Sequence, residues 1–244
     1  MVSVVIPTLN EANYLSAALD SVGDSQAQKE VIVVDAGSVD GTLEIAERKA
    51  ARLLISSRKQ RAHQMNLGAR HAHGSILLFL HADTILPRAA LDRIESSLSK
   101  ERVIGGGFAR RYDSSSWFLG MTCPLASLRT RWTGWFLGDQ AIFIRRKTFE
   151  ELGGFRDLDL FEDSDLSRRM AKFGQVVTLL PPVISSARRF KVRGEVLTTL
   201  SDLWLTCCYL AGADPNALAK ERHTVSEEKP SSGDSRVKQQ ALKS

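Results

Sequence analysis

The chain of 244 residues has little cysteine and no long apolar segment at its start. Its three cysteines, Cys123, Cys207 and Cys208, lack the spacing of a metal site, and adjacent cysteines seldom pair with each other. Reduced thiols are the simplest state, which predicts a cytoplasmic protein. The first three residues lead directly into a strand-like run without a basic segment or an extended apolar core, so we expect no export signal.

The composition excludes further classes of protein. With 43% hydrophobic and 25% charged residues, neither a disordered chain nor a disulfide scaffold is expected, and one large core or two small ones can be buried. A formal charge of +5 and a pI near 9.2 suit nucleic acid, an anionic membrane surface or an anionic small substrate. Because the basic residues are scattered and no helix-turn-helix, RNP-like or zinc-finger pattern is present, we expect no nucleic-acid partner.

Strand-like and helix-like segments alternate through the first half of the chain. Apolar runs at 2–6, 31–35, 52–55 and 76–80 have the composition of buried strands, and each is followed by a segment with helical spacing. The last of these helices is predicted at 87–99. Such alternation predicts right-handed βαβ units with a parallel sheet, and therefore an α/β fold.

The second half is less regular. We predict strands at 103–108, 141–144, 176–180 and 183–185, a helix from Glu162, and an amphipathic helix at 195–211. The segment 114–135 holds three of the four tryptophans and is assigned no helix or strand.

Two compositional features complete this half. For Trp132, Trp135 and Phe136, a core position is favoured over stacking on a sugar or isoprenoid. Residues 221–244 are rich in Ser, Lys and Glu and poor in apolar side chains, which predicts a disordered tail.

Carboxylates follow two of the predicted strands. Asp35 ends the run 31–35, and Asp83 follows a fully apolar strand that stops at His81. Ligands collect beyond the carboxyl ends of parallel strands, so both carboxylates are candidates for ligand binding, with Asp35 and Ser38 suited to the base or ribose of a nucleotide. The alternatives are a local turn after Asp35 and a helix cap at Asp83.

A second candidate lies at a predicted helix start. Arg61, Gln64 and Asn66 occur where free backbone N–H groups and the helix dipole favour an anion such as a diphosphate. A solvated basic helix start is the alternative. Asp83 could hold Mg²⁺ or Mn²⁺ against that diphosphate, while His81 is expected to pack or to support its neighbours.

The acidic pair Glu162-Asp163 opens another predicted helix. A carboxylate at a helix N-terminus is easily kept ionised and can take a proton from a hydroxyl nucleophile. Ordinary acidic capping of the helix is the alternative. We take the pair Glu162-Asp163 as the leading candidate for a general base.

Four motifs stand in order along the chain: Val4–Glu11, Val33–Thr42, Leu80–Thr84 and Phe161–Asp163. Together they resemble family 2 glycosyltransferases of the GT-A fold over roughly residues 1–190. The segments 61–68 and 138–140 are most similar to a bacterial subgroup of small, single-domain transferases.

The resemblance implies a GT-A fold: a Rossmann-like half with a mostly parallel central sheet and helices on both faces, and a smaller mixed acceptor half. The expected boundaries within a single domain at 1–220 are 1–100 for nucleotide-sugar binding, 101–190 for acceptor and catalysis, and 191–220 for a C-terminal helix. The donor is a nucleotide-diphosphate sugar. Its expected contacts are Pro7, Thr8, Asn10, Glu11, Asp35, Ser38, Arg61, Gln64, Asn66, Ala82 and Asp83.

The resemblance also implies chemistry at two of the motifs. Asp83 matches the last carboxylate of a DxD-like metal motif, which implies Mg²⁺ or Mn²⁺, although His81 stands at the first position of that motif. Asp163 matches the catalytic base of an ED motif, which implies direct displacement with inversion. Ala36 replaces a second acidic residue of the family pattern and leaves Asp35 alone there.

The acceptor side is less defined by sequence. Gly138, Asp139, Gln140 and Trp135 are candidate acceptor contacts. The helix at 195–211 follows several basic residues and resembles an interfacial membrane contact, or else it covers the sheet.

The predicted function is transfer of a sugar to a hydroxyl acceptor, with lipids or polyprenoids among the candidates, in the cytoplasm or at the inner face of the cell membrane. The alternatives are a nucleotidyltransferase and a catalytically silent nucleotide-sugar-binding module.

Overall fold

The computed structural model describes residues 1–49 and 51–220, so the tail predicted at 221–244 lies outside the described residues. The strands are β1 (Val2–Thr8), β2 (Lys29–Asp35), β3 (Arg52–Ile55), β4 (Ile76–Phe79), β5 (Thr84–Ile85), β6 (Val103–Tyr112), β7 (Ile142–Arg145) and β8 (Gln175–Ser185). Within the described residues they form one sheet in the order β3-β2-β1-β4-β7-β6-β8-β5.

Helices cover this sheet. They are α1 (Ala12–Gly23), α2 (Thr42–Arg48), α3 (Arg61–His71), α4 (Ala90–Leu98), α5 (Trp117–Thr133), α6 (Arg146–Glu151), α7 (Glu162–Phe173), α8 (Arg188–Arg193) and α9 (Glu195–Leu210). A short 3-10 turn occupies Gly138–Gln140, and residues 215–220 are also helical.

The first four strands form the predicted parallel half of the sheet. β1 pairs in parallel with β2 on one side and β4 on the other, and β2 pairs in parallel with β3. Every residue of β1 is buried, because helices cover both faces of a strand that already has two neighbours. Val4 and Ile6 belong to one core cluster and Val5 to the other, as the alternation of a strand requires.

The second half is mixed. β7 lies antiparallel between β4 and β6, β6 runs parallel to β8, and the short β5 pairs antiparallel with β8. The predicted α/β class is confirmed, with a mixed sheet in which parallel pairings outnumber antiparallel ones.

Two predicted strand boundaries in this half are wrong. The strands predicted at 176–180 and 183–185 form one strand, because the register of β6 against β8 shifts between Phe108 and Arg110 and lets the ladder pass Pro181 and Pro182. β6 also runs without interruption through its three glycines at 105–107 and continues beyond 108 to Tyr112. A Cβ at Gly106 would overlap the carbonyl oxygen of Val177, so glycine permits the close approach of β6 and β8.

Helix α5 was not predicted. It begins where the side chain of Ser116 accepts a hydrogen bond from the backbone N–H of Leu119, and it ends at Gly134, whose φ is 65°. Trp132 is 82% exposed, so the predicted core position is wrong for this residue, whereas Phe136 is fully buried as expected. Pro124 lies inside this helix, and an internal proline is a sequence signal against a helix.

The C-terminal helix is divided into α8 and α9 by Gly194. α9 buries Thr198 and Leu205, and most of its other apolar side chains are exposed. Among the described residues, no helix is both long enough and apolar enough to cross a membrane.

Glu30, at the start of β2, ties three segments together. Its carboxylate accepts hydrogen bonds from the Ser3 hydroxyl and from the backbone N–H groups of His73 and Gly74. Burial acts to raise the pKa of Glu30, but these hydrogen bonds outweigh it and lower the pKa from 4.5 to about 2. The ionised carboxylate therefore stabilises the folded protein.

Glu30→Gln is expected to lower the free energy of unfolding by about 1–2 kcal/mol at neutral pH, because charged hydrogen bonds are replaced by neutral ones. The pKa of Glu30 is depressed in the folded state, so its contribution is fully present above pH 4.5 and is lost as the pH falls toward about 2. Urea unfolding across this range should show the two proteins converging at low pH. Glu47→Gln, on the exposed side of α2, is the matched control.

Candidate active site

A cavity of about 300 Å³ opens beyond the carboxyl ends of β1 and β4. Its walls come from the loops after these strands, from the ends of β6 and β8, from the 3-10 turn, and from α7, α8 and α9. Among the predicted site residues, those that line it are Pro7, Glu11, Arg61, Ala82, Asp83, Gly138, Asp139, Glu162 and Asp163. The sequence motifs therefore converge on one cavity.

Asp83 lies in the segment between β4 and β5 and lines this cavity. The backbone N–H of Leu80 donates to the carbonyl of Val5, which extends the pairing of β1 and β4 to the residue before His81. Asp83 Oδ2 lies 3.2 Å from Arg188 Nη2. The carboxylate faces the cavity and does not cap α4, which begins seven residues later in the chain, at Ala90.

Arg188 is a site residue that the sequence reasoning missed. Its guanidinium makes two hydrogen bonds to the carboxylate of Glu11, of 2.6 and 2.7 Å, and lies 4.7 Å from the ring centroid of Tyr14. It thus joins the loop after β1 to Asp83. The basic cluster at its position was interpreted as a membrane contact, and nothing in the sequence separated this arginine from its neighbours.

His81 packs against the 3-10 turn. A Cβ added to Gly138 would overlap His81 Nε2 and lie 3.0 Å from Asp163 Oδ2. Burial, followed by the positive charge of Arg61, lowers the pKa of His81 to about 4, so the imidazole is neutral at neutral pH. Gly138 is required here because any side chain would occupy the space between the imidazole and Asp163.

Asp163 is oriented by two backbone donors. Its Oδ2 accepts a hydrogen bond from the N–H of Gly138, and its Oδ1 accepts one of 2.6 Å from the N–H of Ser164, in the first turn of α7. The preceding Phe161 has a φ of 64° and stacks on Tyr209 of α9 at 4.6 Å between ring centroids. The turn that carries the acidic pair is thus fixed from both sides.

Glu162 is occupied by an ion pair. Its Oε1 lies 3.0 Å from Arg61 Nη1, and its side chain is only 3% exposed while that of Arg61 is 51% exposed. Burial and, less strongly, the charge of Asp163 raise the pKa of Glu162, although Arg61 opposes this shift. Glu162 therefore anchors Arg61, which lines the cavity.

The residues around Asp35 form an internal network beside the cavity. Asp35 is fully buried and accepts hydrogen bonds from the Thr8 hydroxyl at 2.9 Å and the Ser38 hydroxyl at 2.5 Å. The backbone N–H of Asn10 donates to the Ser38 hydroxyl at 2.8 Å. The network ties the loop after β1 to the loop after β2, and none of these four side chains lines the cavity itself.

Gln64 and Asn66 are also held away from the cavity. Gln64 Nε2 donates to the carbonyl oxygens of Thr8 and Val34, both at 2.8 Å. The amide of Asn66 donates to the carbonyl of Phe155 at 2.8 Å and accepts from its N–H at 3.0 Å. Of the predicted anion-binding group on α3, the structure brings Arg61 alone to the cavity.

Some of the candidate acceptor residues line the cavity and others do not. Asp139 lines the cavity and forms an ion pair of 2.5 Å with Arg110 of β6, whose side chain is 8% exposed. Gln140 instead donates to the carbonyl of Phe108, and the ring of Trp135 packs near Arg129 and Arg168. Within the described residues, Asp139 Oδ1 is buried and has no hydrogen-bond partner.

The sequence profile named Glycosyl transferase family 2 matches residues 3–153. The chain belongs to this family. It is 31% identical over 221 residues to the glycosyltransferase AglE of Haloferax volcanii, an alignment covering 80% of this chain and 69% of the relative. It is 31% identical over 159 residues to the undecaprenyl-phosphate 4-deoxy-4-formamido-L-arabinose transferase of Edwardsiella ictaluri, covering 59% of this chain and 48% of the relative.

A solved structure is also similar to this chain. It is a mannosyltransferase from Pyrobaculum calidifontis in complex with GDP-Man and Mn²⁺, with a TM-score of 0.61, 27% identity, and coverage of 76% of this chain and 56% of that one. The chain thus spans about half to two thirds of the length of these proteins. It is a family 2 glycosyltransferase with a GT-A fold.

The donor set suits a metal that is shared with a substrate. Among residues 1–49 and 51–220, no group of three His, Cys, Asp or Glu side chains could hold a metal ion by itself. Asp83 nevertheless presents a carboxylate to the cavity, and Mg²⁺ or Mn²⁺ commonly uses one or two carboxylates together with substrate phosphates. Asp83 is therefore suited to be the one protein carboxylate that binds the metal together with the substrate phosphates.

Gly138→Ala is expected to reduce sugar transfer by about tenfold or more, because the new methyl group displaces His81 or Asp163 from their present positions. Turnover and thermal unfolding should be measured together, since a purely structural defect would lower the melting temperature in proportion. Gly23→Ala, where a Cβ meets no atom within 4 Å, is the matched control and should keep full activity.

Proposed function

We propose that this protein is an inverting glycosyltransferase that moves a hexose-type sugar from a nucleotide-diphosphate donor to a hydroxyl acceptor. The observation that carries the proposal is the position of Asp163, whose carboxylate faces the same cavity as Asp83, Arg61 and Arg188. A proton acceptor and two cations around one cavity suit the displacement of a diphosphate by a hydroxyl group.

The donor is proposed to lie with its diphosphate among the two arginines and Asp83. Arg61 lines the cavity, and Arg188 lies close enough to Asp83 to bind the same phosphates. Pro7 and Glu11 flank the adjacent wall, which suits the nucleoside. The network around Asp35 would then shape the loops that receive the base, with Thr8, Asn10 and Ser38 acting through that network.

Asp163 is proposed to act as the general base. It would take the proton from the acceptor hydroxyl while the acceptor oxygen forms its bond to the anomeric carbon and the bond from that carbon to the diphosphate oxygen breaks. Attack from the face opposite the leaving group inverts the configuration of the sugar. Glu162 would contribute by holding Arg61, since its own carboxylate is engaged in that ion pair.

The metal proposed here is Mg²⁺ or Mn²⁺, with Asp83 as its protein ligand. When bound, such an ion stabilises negative charge on the diphosphate. The similarity to a mannosyltransferase solved with GDP-Man and Mn²⁺ supports this assignment.

For the acceptor, we propose a lipid or polyprenoid at the inner face of the cell membrane. The similarity to an undecaprenyl-phosphate sugar transferase supports a lipid. So does the position of α9, since Asp202, Leu205 and Thr206 of this helix line the cavity while its other apolar residues are exposed. Gly138 and Asp139 form the wall nearest to Asp163, where the acceptor hydroxyl must lie.

Asp163→Asn is expected to lower kcat by about 10²–10⁴-fold while leaving the donor affinity within about twofold, because the amide keeps the shape of the carboxylate but cannot accept the proton. Single-turnover rates and donor titration monitored by protein fluorescence measure the two quantities.

The matched control is Asp165→Asn, two residues further along α7. Asp165 pairs with Arg156 and Arg169 and does not line the cavity, so this change should lower thermal stability and preserve kcat. Normal turnover in the Asp163 variant would remove this residue from the mechanism.

A panel of UDP-, GDP- and dTDP-sugars, each tested with Mn²⁺ and with chelator, distinguishes the candidate functions. We expect release of free nucleoside diphosphate from one donor class, together with stabilisation of the protein by that donor. Release of pyrophosphate would instead identify a nucleotidyltransferase, and binding without turnover would identify a silent binding module.

A further inference from the structure

Helix α5 carries a stripe of exposed apolar side chains along its whole length. Its members follow one another at intervals of three or four residues, which places them on one side of the helix. Their exposed fractions are Trp117 74%, Met121 57%, Leu125 65%, Leu128 52% and Trp132 82%. A continuous apolar stripe of this size on a surface marks a site of association.

A second group of exposed apolar side chains lies on α9, and the two helices meet at their N-termini. The Ser116 hydroxyl, at the start of α5, donates to the Glu195 carboxylate, at the start of α9, at 2.5 Å. Leu119 of α5 also packs with Phe190 of α8. The exposed apolar residues of α9 are Val196, Leu197, Leu200, Leu203, Trp204 and Leu210. We call the stripe on α5 together with this group the α5–α9 surface.

Basic side chains outnumber acidic ones beside this surface, and Arg131 and Lys191 are exposed there, whereas Arg188 belongs to the cavity. Residues 114–133 and 186–210 contain six basic side chains and two acidic ones, Glu195 and Asp202. Asp202 is paired with Arg189 at 2.9 Å, and Glu195 accepts a hydrogen bond from the Ser116 hydroxyl. The surface is therefore complementary to a partner that has an apolar interior and negatively charged groups on its outer surface.

We propose that the α5–α9 surface docks on a lipid bilayer that contains anionic lipids. Apolar helical stripes with tryptophans at the ends and basic residues beside them have the composition of helices that lie in the membrane interface. Residues 221–244 carry too few apolar side chains to cover the surface in place of a bilayer. The docking is independent of catalysis, whereas its use in delivering a lipid acceptor rests on the proposed function.

The orientation that follows brings the cavity close to the headgroups. One side of α9 contributes Asp202, Leu205 and Thr206 to the cavity wall, and the exposed side carries Leu203 and Trp204. A lipid headgroup at this helix would need to move only across its width to reach the cavity.

Co-sedimentation with vesicles tests the proposal on the full chain without any sugar donor. The wild-type protein should bind vesicles of phosphatidylglycerol and phosphatidylcholine in equal parts, and bind pure phosphatidylcholine at least about tenfold more weakly. Leu125→Glu combined with Leu128→Glu should weaken binding to the mixed vesicles by about tenfold or more. The changed side chains are exposed, so the melting temperature should stay close to that of the wild type.

The matched control replaces two exposed apolar residues elsewhere, Val39→Glu with Ile55→Glu, which are 90% and 62% exposed. It adds the same charge and should retain most of the vesicle binding. Quenching of tryptophan fluorescence by brominated lipid gives a second readout, which should fall when Trp117 and Trp132 are replaced by phenylalanine.

Three results would overturn the proposal. They are absence of wild-type binding to mixed vesicles, equal loss of binding in the control, and a concentration-dependent dimer that the α5 variant abolishes while vesicle binding is unchanged. Asp163→Asn should bind vesicles as the wild type does, so failure of the docking and failure of the proposed catalysis are recorded separately.

Discussion

Asp83, Glu162 and Asp163 can share one cavity because Arg61 and Arg188 lie among them. Asp83, Glu162 and Asp163 all face or border the same space, and uncompensated carboxylates in such a setting would repel one another. Arg61 is paired with Glu162 and also interacts with the charges of Asp163 and Asp83. Arg188 completes the balance between Glu11 and Asp83.

This charge balance connects distant parts of the chain. Arg61 begins α3 in the first half and meets α7 in the second, while Arg188 begins α8 and meets the loop after β1. The two ion pairs therefore join the parallel half of the sheet to the elements that carry the general-base candidate. An anionic diphosphate entering the cavity would add negative charge where cations are already positioned.

His81 fits the same balance. A carboxylate at this position would add a further negative charge beside Asp83 and Asp163, whereas the neutral imidazole fills the space against Gly138 without doing so. The flat imidazole ring of His81 packs into the space that is open because Gly138 has no side chain. His81, which stands in place of the first acidic residue of the family motif, thus makes a close contact with Gly138 that a side chain at residue 138 would prevent.

The sequence predicted the parallel half well because its signals are local. Buried strands of aliphatic residues, with carboxylates at their ends, place Asp35 and Asp83 near one edge of the sheet whatever the remainder of the chain does. The order of the motifs then singled out Asp163 as a candidate, and this residue lines the cavity. These features depend on spacing within short segments, and the structure keeps nearly the same boundaries for β2, β3 and β4.

The parts that were missed depend on contacts between distant segments. Nothing local distinguishes Arg188 from Arg189, yet one pairs with Glu11 and the other with Asp202. Gln64 and Asn66 have the chemistry of ligand-binding residues, but backbone groups of Thr8 and Phe155 happen to lie within their reach. The continuous β8 likewise requires a shifted register opposite its prolines, which only the partner strand β6 can provide.

Helix α9 links the cavity to the exterior through three of its surfaces. Tyr209 stacks on Phe161, the residue that turns the chain into the acidic pair, and Leu205 contributes to the cavity wall. Trp204, adjacent to Leu205 in the chain, is exposed on another side of the helix. Because one rigid helix carries all three contacts, any partner bound to its exposed side also constrains the orientation of the cavity. The same helix that completes the cavity wall therefore also carries exposed apolar side chains beside it.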